Sequence, residues 1–346
     1  MSKIVLCGGG TAGHIMPNIA LLPTLKQNFD EIHYIGTDGL EKKLLANYPY
    51  VKYHEISSVK LVRSLTLKNL AIPFKLAKSI KQCKKILKEI SPNVIFSKGG
   101  YVSVPVVLAS KNIPVYAHES DYTMGLANKI IYKKANTMFF SFDDTAKKYK
   151  KGKLSGPPIR AEIFSGNKNK AKSELKINNN LPCVLFVGGS LGAKAINEIV
   201  YKCVPKLCKS YNVIHITGKN YTTLKHQNYF QIEYSTHIED LLALADYVVS
   251  RSGSNAIFEF LTLKKPMLLI PLPKSNSRGD QILNANYFHK NGFAHVLYQE
   301  DLTEQNLINE INYLKQTSSE LKHNMNRYTF SNGTDIILKE LLRYSK

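Results

Sequence analysis

The sequence opens twice in the same way, and that duplication constrains the fold more than any other feature. Near the start, the apolar run Lys3-Ile4-Val5-Leu6-Cys7 leads into Gly8-Gly9-Gly10-Thr11-Ala12-Gly13-His14 and then a helix-forming stretch, PNIALLPTLKQN. Past the middle, LPCVLFV leads into Gly188-Gly189-Ser190-Leu191-Gly192-Ala193 and then KAINEIV. Each reads as buried strand, glycine turn, helix. Similar runs follow each opening: IHYIG, NVIFSKGG, PVYAHE and TMFFSF in the first half, NVIHITG, YVVSRSG and PMLLIPLP in the second. Strands alternating with helical patterns call for a parallel sheet covered on both faces. The expected fold is therefore α/β, with two doubly wound lobes and an interlobe cleft.

Length agrees, since 346 residues is the size of two domains of roughly 150 residues each. The boundary falls in SGPPIRAEIFSGNKNK, where two prolines and a polar, glycine-containing run interrupt the rhythm. We place the first lobe over residues 1–160 and the second over 161–333. The last helical stretch, near DIILKELLRYS, can pack on either lobe. Ligands of such sheets sit beyond the carboxyl ends of the strands, where these glycine turns fall.

Several function classes are excluded early. The N-terminal apolar run is four residues, short of the roughly seven to fifteen of a secretory leader. No stretch reaches the roughly eighteen apolar residues a membrane-spanning helix needs. Five cysteines are scattered without metal-ligand spacing and read as reduced, buried side chains. Lys and Arg exceed Asp and Glu by 21, which attracts phosphates of nucleic acid, lipid or a diphosphate substrate without choosing among them. Lysines solvating helix faces explain the same excess.

Gly8 to Gly13 satisfy G-x-G-x-x-G, whose glycines let the backbone approach a phosphate at a helix N-terminus. A nicotinamide dinucleotide, with Asp38 as ribose ligand, is one reading. A matching turn on the other lobe favours two phosphate-bearing ligands or one that bridges the lobes. His14, directly after the turn, can take a proton from a hydroxyl nucleophile, or it can simply bond a carbonyl at a helix start. Arg160 follows a rigid proline pair and suits a bidentate grip on a diphosphate, against the plainer role of a linker arginine.

Ser250 to Glu259, SRSGSNAIFE, follow an apolar strand and begin a helix. Ser252, Ser254 and Asn255 are good caps. The functional reading adds that Arg251 and this helix end face a phosphate, while Glu259 accepts hydrogen bonds from a vicinal diol. Gln281 and Asn284 lie three apart on one helix face and can hold sugar hydroxyls or merely cap. In residues 65–90, Ile72, Leu76, Ile80, Cys83, Leu87 and Ile90 form one apolar stripe with lysines on another face. Leu65, Leu67, Leu70 and Phe74 crowd its start beside Lys68 and Lys75, an apolar and basic tip suited to shallow insertion into anionic lipid. There is no Asp-x-Asp clamp, His/Cys cluster or G-x-S-x-G elbow, so we expect no metal and no cofactor; helix dipoles and arginines would meet a departing diphosphate.

Together GGGTAGHIMPNIAL, SKGGYVSVPVVLAS, HESDYTMGLANK, GGSLGAKAIN, SRSGSNAIFEFL and SRGDQILNA resemble, in order and spacing, the MurG family of UDP-N-acetylglucosamine transferases. The likeness covers nearly the whole chain. It implies a GT-B architecture, two Rossmann-like doubly wound lobes with the C-terminal helix, about 334–346, crossing back to the first. It implies an inverting hexosyltransferase carrying N-acetylglucosamine from UDP to the 4-hydroxyl of lipid-linked muramyl-pentapeptide, in peptidoglycan synthesis. By resemblance Thr11, Ala12 and Gly13 contact the donor region and His14 is a candidate base. Arg160, Ser190, Ile238, the run Ser254, Asn255, Ala256, Ile257, Phe258, Glu259, and Gln281 match donor positions, with Glu259 on the ribose. Asp121 departs from the family, where many members carry Asn; an acid there can assist as a base. The second lobe is expected to bind UDP-N-acetylglucosamine, the first to face acceptor and membrane.

The implied partners are UDP-N-acetylglucosamine, undecaprenyl-pyrophosphoryl-muramyl-pentapeptide, an anionic membrane surface on the cytoplasmic face and cell-wall synthesis proteins. A rival of a different class, a basic nucleic-acid-binding protein, would require aromatic residues interleaved with a basic groove; the paired glycine turns give it no support, and no nucleic acid is expected. The nearest enzyme rivals are a UDP-sugar epimerase and a diacylglycerol glycosyltransferase.

Overall fold

The computed structural model describes residues 1–58, 72–188, 193–276, 278–328 and 333–345, apart from the side chain of Asn276. The chain divides into two compact units, the first Met1–Arg160 with Ser331–Lys346, the second Ala161–Phe330.

In the first unit the chain runs β1 (Lys3–Cys7), α1 (Ala12–Asn28), β2 (Glu31–Gly36), α2 (Leu40–Leu45), β3 (Val51–Glu55), α3 (Ile72–Ile90) and β4 (Val94–Ser97). It continues α4 (Ser103–Ala109), β5 (Val115–Glu119), α5 (Leu126–Lys134), β6 (Thr137–Phe140), α6 (Asp143–Ala146) and β7 (Gly152–Leu154). The seven strands are parallel, in the order β3-β2-β1-β4-β5-β6-β7. Because a parallel sheet is covered on both faces, its central strands are apolar on both sides, as in β1 and β4. Ile4 and Leu6 join α1 residues Ile15, Ile19 and Leu22 in one core layer. Val5 and Cys7, one residue out of phase, join Cys83, Leu87 and Ile90 of α3 in the other. The strand order reverses between β1 and β4, so the loops after these two strands are neighbours, Lys98 donating its amide to the Cys7 carbonyl at 2.9 Å.

The second unit runs α7 (Lys168–Glu174), β8 (Cys183–Val187), α8 (Lys194–Leu207), β9 (Asn212–Ile216), β10 (Tyr229–Ile232), α9 (Ile238–Leu244) and β11 (Tyr247–Ser250). After these come α10 (Ser254–Thr262), β12 (Met267–Leu269), α11 (Asp280–Lys290), β13 (Ala294–Val296) and α12 (Glu304–Arg327). Its parallel order is β10-β9-β8-β11-β12-β13, with the reversal between β8 and β11.

The final helix, α13 (Gly333–Leu341), belongs to the first unit. Ile337, Leu338 and Leu341 enter the layer built on α1, each buried aliphatic contributing about 1.5–3 kcal/mol. Glu340 pairs with Lys153 at 2.7 Å, and Tyr344 meets Tyr116, hydroxyl to hydroxyl, at 3.3 Å. Two sequence expectations shift. α1 starts at Ala12, five residues before the expected stretch, which puts His14 in its first turn. The short strands β3, β7, β10 and β13 were not anticipated. All five cysteines are free and buried.

Candidate active site

The first unit gathers its polar groups at the β1/β4 reversal. Gly10 takes φ +84, and a Cβ there would strike the Tyr101 ring; a Cβ at Gly9 would lie 2.6 Å from Glu41 Oε1. Glu41 is fully buried. Its Oε2 accepts the Gly10 amide at 3.3 Å and its Oε1 accepts the Thr37 amide and hydroxyl at 2.9 and 2.6 Å. An internal carboxylate thus occupies an amide of the turn that the glycine pattern offered to a phosphate. Asp38, the alternative ribose ligand, is exposed and pairs with Lys42 at 3.0 Å. The far side of the turn is tied down by Tyr34, whose hydroxyl donates to the Gly8 carbonyl at 2.7 Å.

Thr11 and Gly13 are exposed, and Ala12 and His14 half-buried. His14 Nδ1 lies 3.0 Å from Thr11 Oγ1, a hydroxyl able to accept from or donate to that nitrogen. A Cβ at Gly100, in the loop after β4, would come within 3.1 Å of the same nitrogen.

Beside this loop lies a group of charges that the sequence reading did not single out. Lys98 is 1% exposed, and its Nζ donates to Ser120 Oγ at 2.7 Å. Glu119, at the end of β5, is buried and accepts from the amides of Asp121 and Gly125, each at 3.0 Å, and from Asn128 Nδ2 at 2.9 Å. Those bonds shape the turn that carries half-buried Asp121. Burial pulls the Lys98 ammonium down to about 8, against the pull of Glu119 and Asp121. Burial, then repulsion from Asp121, raises the Glu119 carboxyl above its ordinary value. The signal for Lys98 was its place between a buried strand and two glycines; Glu41, in a run of charged residues, gave none.

In the second unit the loop after β11 leads into α10. The helix is capped by Gly253, with no side-chain cap bond. This corrects the capping role expected of the serines and Asn255, because Ser252 Oγ instead donates to the Gln281 carbonyl at 2.8 Å. Asn284 is fully buried and donates to the Ser252 carbonyl at 3.1 Å, while Gln281 Oε1 accepts the Leu272 amide at 3.0 Å. The two amides therefore lock α11 to the loops after β11 and β12. Arg251 is likewise built in, donating to the carbonyls of Ile270 and Pro271 and, at 2.6 Å, to Gln299.

The run 254–259 splits by burial. Ser254, Ile257 and Phe258 are enclosed, whereas Asn255, Ala256 and Glu259, the last lying four and three residues beyond the first two and so on their side of the helix, stay partly accessible. The first-turn amides and positive end of α10 point out of the same strand-end crevice. Arg160 and Ile238 are half-buried, Ile238 opening α9. Ser190, with most of the second glycine turn, lies outside the described residues, as do Leu65, Leu67, Lys68 and Leu70. Phe74 is 79% exposed at the start of α3 with Lys75 exposed beside it. Among the described residues no helix is long and apolar enough to cross a membrane, and no group of three or more His, Cys, Asp and Glu is arranged to hold a metal ion.

Residues 4–140 match the glycosyltransferase family 28 N-terminal domain and residues 183–339 its C-terminal domain. The UDP-N-acetylglucosamine--N-acetylmuramyl-(pentapeptide) pyrophosphoryl-undecaprenol N-acetylglucosamine transferase of Clostridium tetani is 46% identical, over 99% of this chain and 98% of its own. That of Clostridium botulinum Alaska E43 is 46% identical over the same shares. In three dimensions the chain resembles the crystal structure of Acinetobacter baumannii MurG with TM-score 0.79, at 21% identity and over 99% of each chain. Two parallel-sheet units, each matching one half of this family, and close relatives along the full length lead to one assignment: the chain is a GT-B enzyme that belongs to glycosyltransferase family 28 and, within it, to the MurG family of N-acetylglucosamine transferases.

Proposed function

We propose that this chain transfers N-acetylglucosamine from UDP-N-acetylglucosamine to the 4-hydroxyl of lipid-linked N-acetylmuramyl-pentapeptide, forming a β-1,4 link. The observation that carries this reading is 46% identity over 99% of the chain to an enzyme bearing that name. The two units divide the labour.

The second unit takes the donor. Glu259, partly accessible one turn into α10, accepts the ribose hydroxyls, and the α10 amides take the diphosphate, where negative charge grows as UDP leaves; Arg160, by the family resemblance, also serves the donor. Gln281, Asn284 and Arg251 act behind them by holding the loops; Ser190 and Ile238 complete the donor set. The first glycine turn, with Glu41 on its Gly10 amide, is unsuited to a second anion, so Thr11, Ala12 and Gly13 serve the neutral sugar.

The first unit takes the acceptor. The muramyl 4-hydroxyl attacks the anomeric carbon from the face opposite the diphosphate; the carbon–oxygen bond to UDP breaks, UDP leaves with the electron pair, and the anomeric centre inverts. The hydroxyl proton goes to His14 or, through it, to Asp121. The proton is taken at Nε2 in the tautomer that keeps its hydrogen on Nδ1 and donates it to Thr11. The reaction as drawn uses no metal ion. Phe74 and Lys75, with the 65–70 segment, would seat this unit on the anionic cytoplasmic face of the membrane.

Incubation with radiolabelled UDP-N-acetylglucosamine and the muramyl lipid tests the reading. The expected product is the disaccharide lipid plus UDP. Epimerised UDP-sugar without acceptor, or label on diacylglycerol, would overturn it.

A further inference from the structure

An ammonium enclosed in a protein interior is retained only where anionic partners offset its lost hydration. Among the described residues Lys98 is the one buried lysine, and it sits where two like charges also crowd together. Glu119 and Asp121 lie two residues apart at the end of β5. Lys98 Nζ bonds Ser120 between them at 2.7 Å. Its side chain also borders the first glycine turn: a Cβ at Gly8 would lie 3.1 Å from Lys98 Cβ and would collide with the His14 carbonyl. One residue therefore joins the two places: its ammonium holds the turn that carries Asp121, while its backbone amide and Cβ border the strand end and glycine turn that lead to His14.

We propose that Lys98 is a positioning residue for transfer, the internal counter-charge that lets Glu119 and Asp121 be ionised side by side and, through Ser120, holds the Asp121 turn against the His14 loop. This rests on the acceptor reading of the first unit. The groups facing Lys98 are Glu119 and Asp121 from the end of β5 and His118 one residue earlier in that strand. His118 is buried, its Nε2–H donates to the Gly156 carbonyl at 3.0 Å, and burial, then Lys98, drives it far below its ordinary range; it stays neutral through the working range. That leaves the carboxyls at the end of β5 to respond to the lysine. For each the sign is the same: without the cation, protonation becomes easier, and the acidic limb of the rate profile moves up.

The test is the pH profile of kcat/KM for the muramyl lipid in the wild type, Lys98→Met, Asp121→Asn and the double variant. A wild type that makes no disaccharide lipid sinks the functional reading itself; with an active wild type the variants decide on Lys98. Lys98→Met should move the acidic limb up by about one pH unit and lower kcat about tenfold at neutral pH, with UDP binding by calorimetry unchanged. Asp121→Asn should move the limb the other way. In the Asp121→Asn background the loss caused by Lys98→Met should shrink about fivefold, because the crowded charge is gone. An unmoved limb in Lys98→Met, or losses that simply multiply, overturns the proposal. If Lys98→Met does not melt cooperatively, Lys98→Arg keeps it testable: a retained limb supports the role of the charge, and a limb shifted upward refutes it.

Discussion

Glu41 holds Gly10 from beneath the first glycine turn, carboxylate to amide at 3.3 Å, while its other oxygen takes two bonds from Thr37. The sequence motif there reads as a phosphate cradle, yet its anion is already present and covalently part of the chain. A second full charge about 4 Å away would meet a repulsion of about 4 kcal/mol at the effective dielectric of a protein surface. The turn therefore serves to start α1 abruptly and place His14 in its first turn.

Glu41→Ala should accordingly be a stability variant. It removes the acceptor shared by the Gly10 amide and the Thr37 amide and hydroxyl and empties the space of a fully buried side chain, a loss of about 2–3 kcal/mol. A thermal melt lowered by several degrees, with UDP affinity unchanged by calorimetry, is the expected pair of results. An unchanged melt would mean the carboxylate does not hold the turn.

Replacing His14 and Glu259 should separate chemistry from binding. His14→Ala removes the proposed base and should lower kcat by about two to four orders of magnitude while sparing UDP affinity. Thr11→Val, which deletes only the hydroxyl on Nδ1, should lose about tenfold. Glu259→Ala should raise KM for the donor about tenfold with a smaller change in kcat. Steady-state kinetics with both substrates checks all three, and near-normal constants for His14→Ala and Glu259→Ala together would defeat the site assignment.

The fold was legible because buried parallel strands announce themselves as apolar runs, and KIVLC, NVIFS and CVLFV each became a central strand. Edge strands carry no such signal: Val51-Lys52-Tyr53-His54-Glu55 is buried only at Val51, so β3 exists by pairing with β2 and not by its own hydrophobicity. The start of α1 was misplaced because Pro17 looks like a helix opening, although the helix accepts it one turn further in. At the site, residue types were readable and roles were not. Arg251 and Asn284 look like ligands in sequence, and the fold also gives them structural bonds, to backbone carbonyls and to Gln299, that no sequence pattern foretells. Glu41 is invisible for the opposite reason, and Lys98 shows only as a lysine between an apolar strand and two glycines, since their burial is a product of strand order that brings distant loops together.

The start of α3 should act as a lipid contact. Phe74 is 79% exposed, and Lys75, Lys78, Lys81, Lys84, Lys85 and Lys88 are all exposed along the helix. Each lysine near an anionic surface contributes about 1 kcal/mol, and the contribution is screened by salt. Phe74→Ser with Lys75→Glu should therefore weaken co-sedimentation with phosphatidylglycerol vesicles at least about tenfold, more so at low salt. Equal binding of the variant would place the lipid contact elsewhere.

His215 offers a pH test confined to the second unit. It is buried between Asn197 and Tyr229, Nε2 and Nδ1 each 2.9 Å from its partner. Asn197 Nδ2 is spent on the Thr217 carbonyl at 2.8 Å, so its Oδ1 faces the ring as an acceptor. That selects the neutral imidazole with the proton on Nε2 and Tyr229 donating to Nδ1. Burial pushes the group down from 6.5 to about 4. Between those values the unfolded chain binds the proton and the folded one does not, so stability falls as pH falls through this window. The full loss is about 3 kcal/mol, and about 2 kcal/mol is reached by pH 5. His215→Gln keeps hydrogen-bonding capacity without titrating and should be less stable than wild type at pH 7. Its urea midpoint should then fall less than that of the wild type between pH 7 and 5. Parallel declines in the two proteins would show that the imidazole titrates in the folded state much as it does in water.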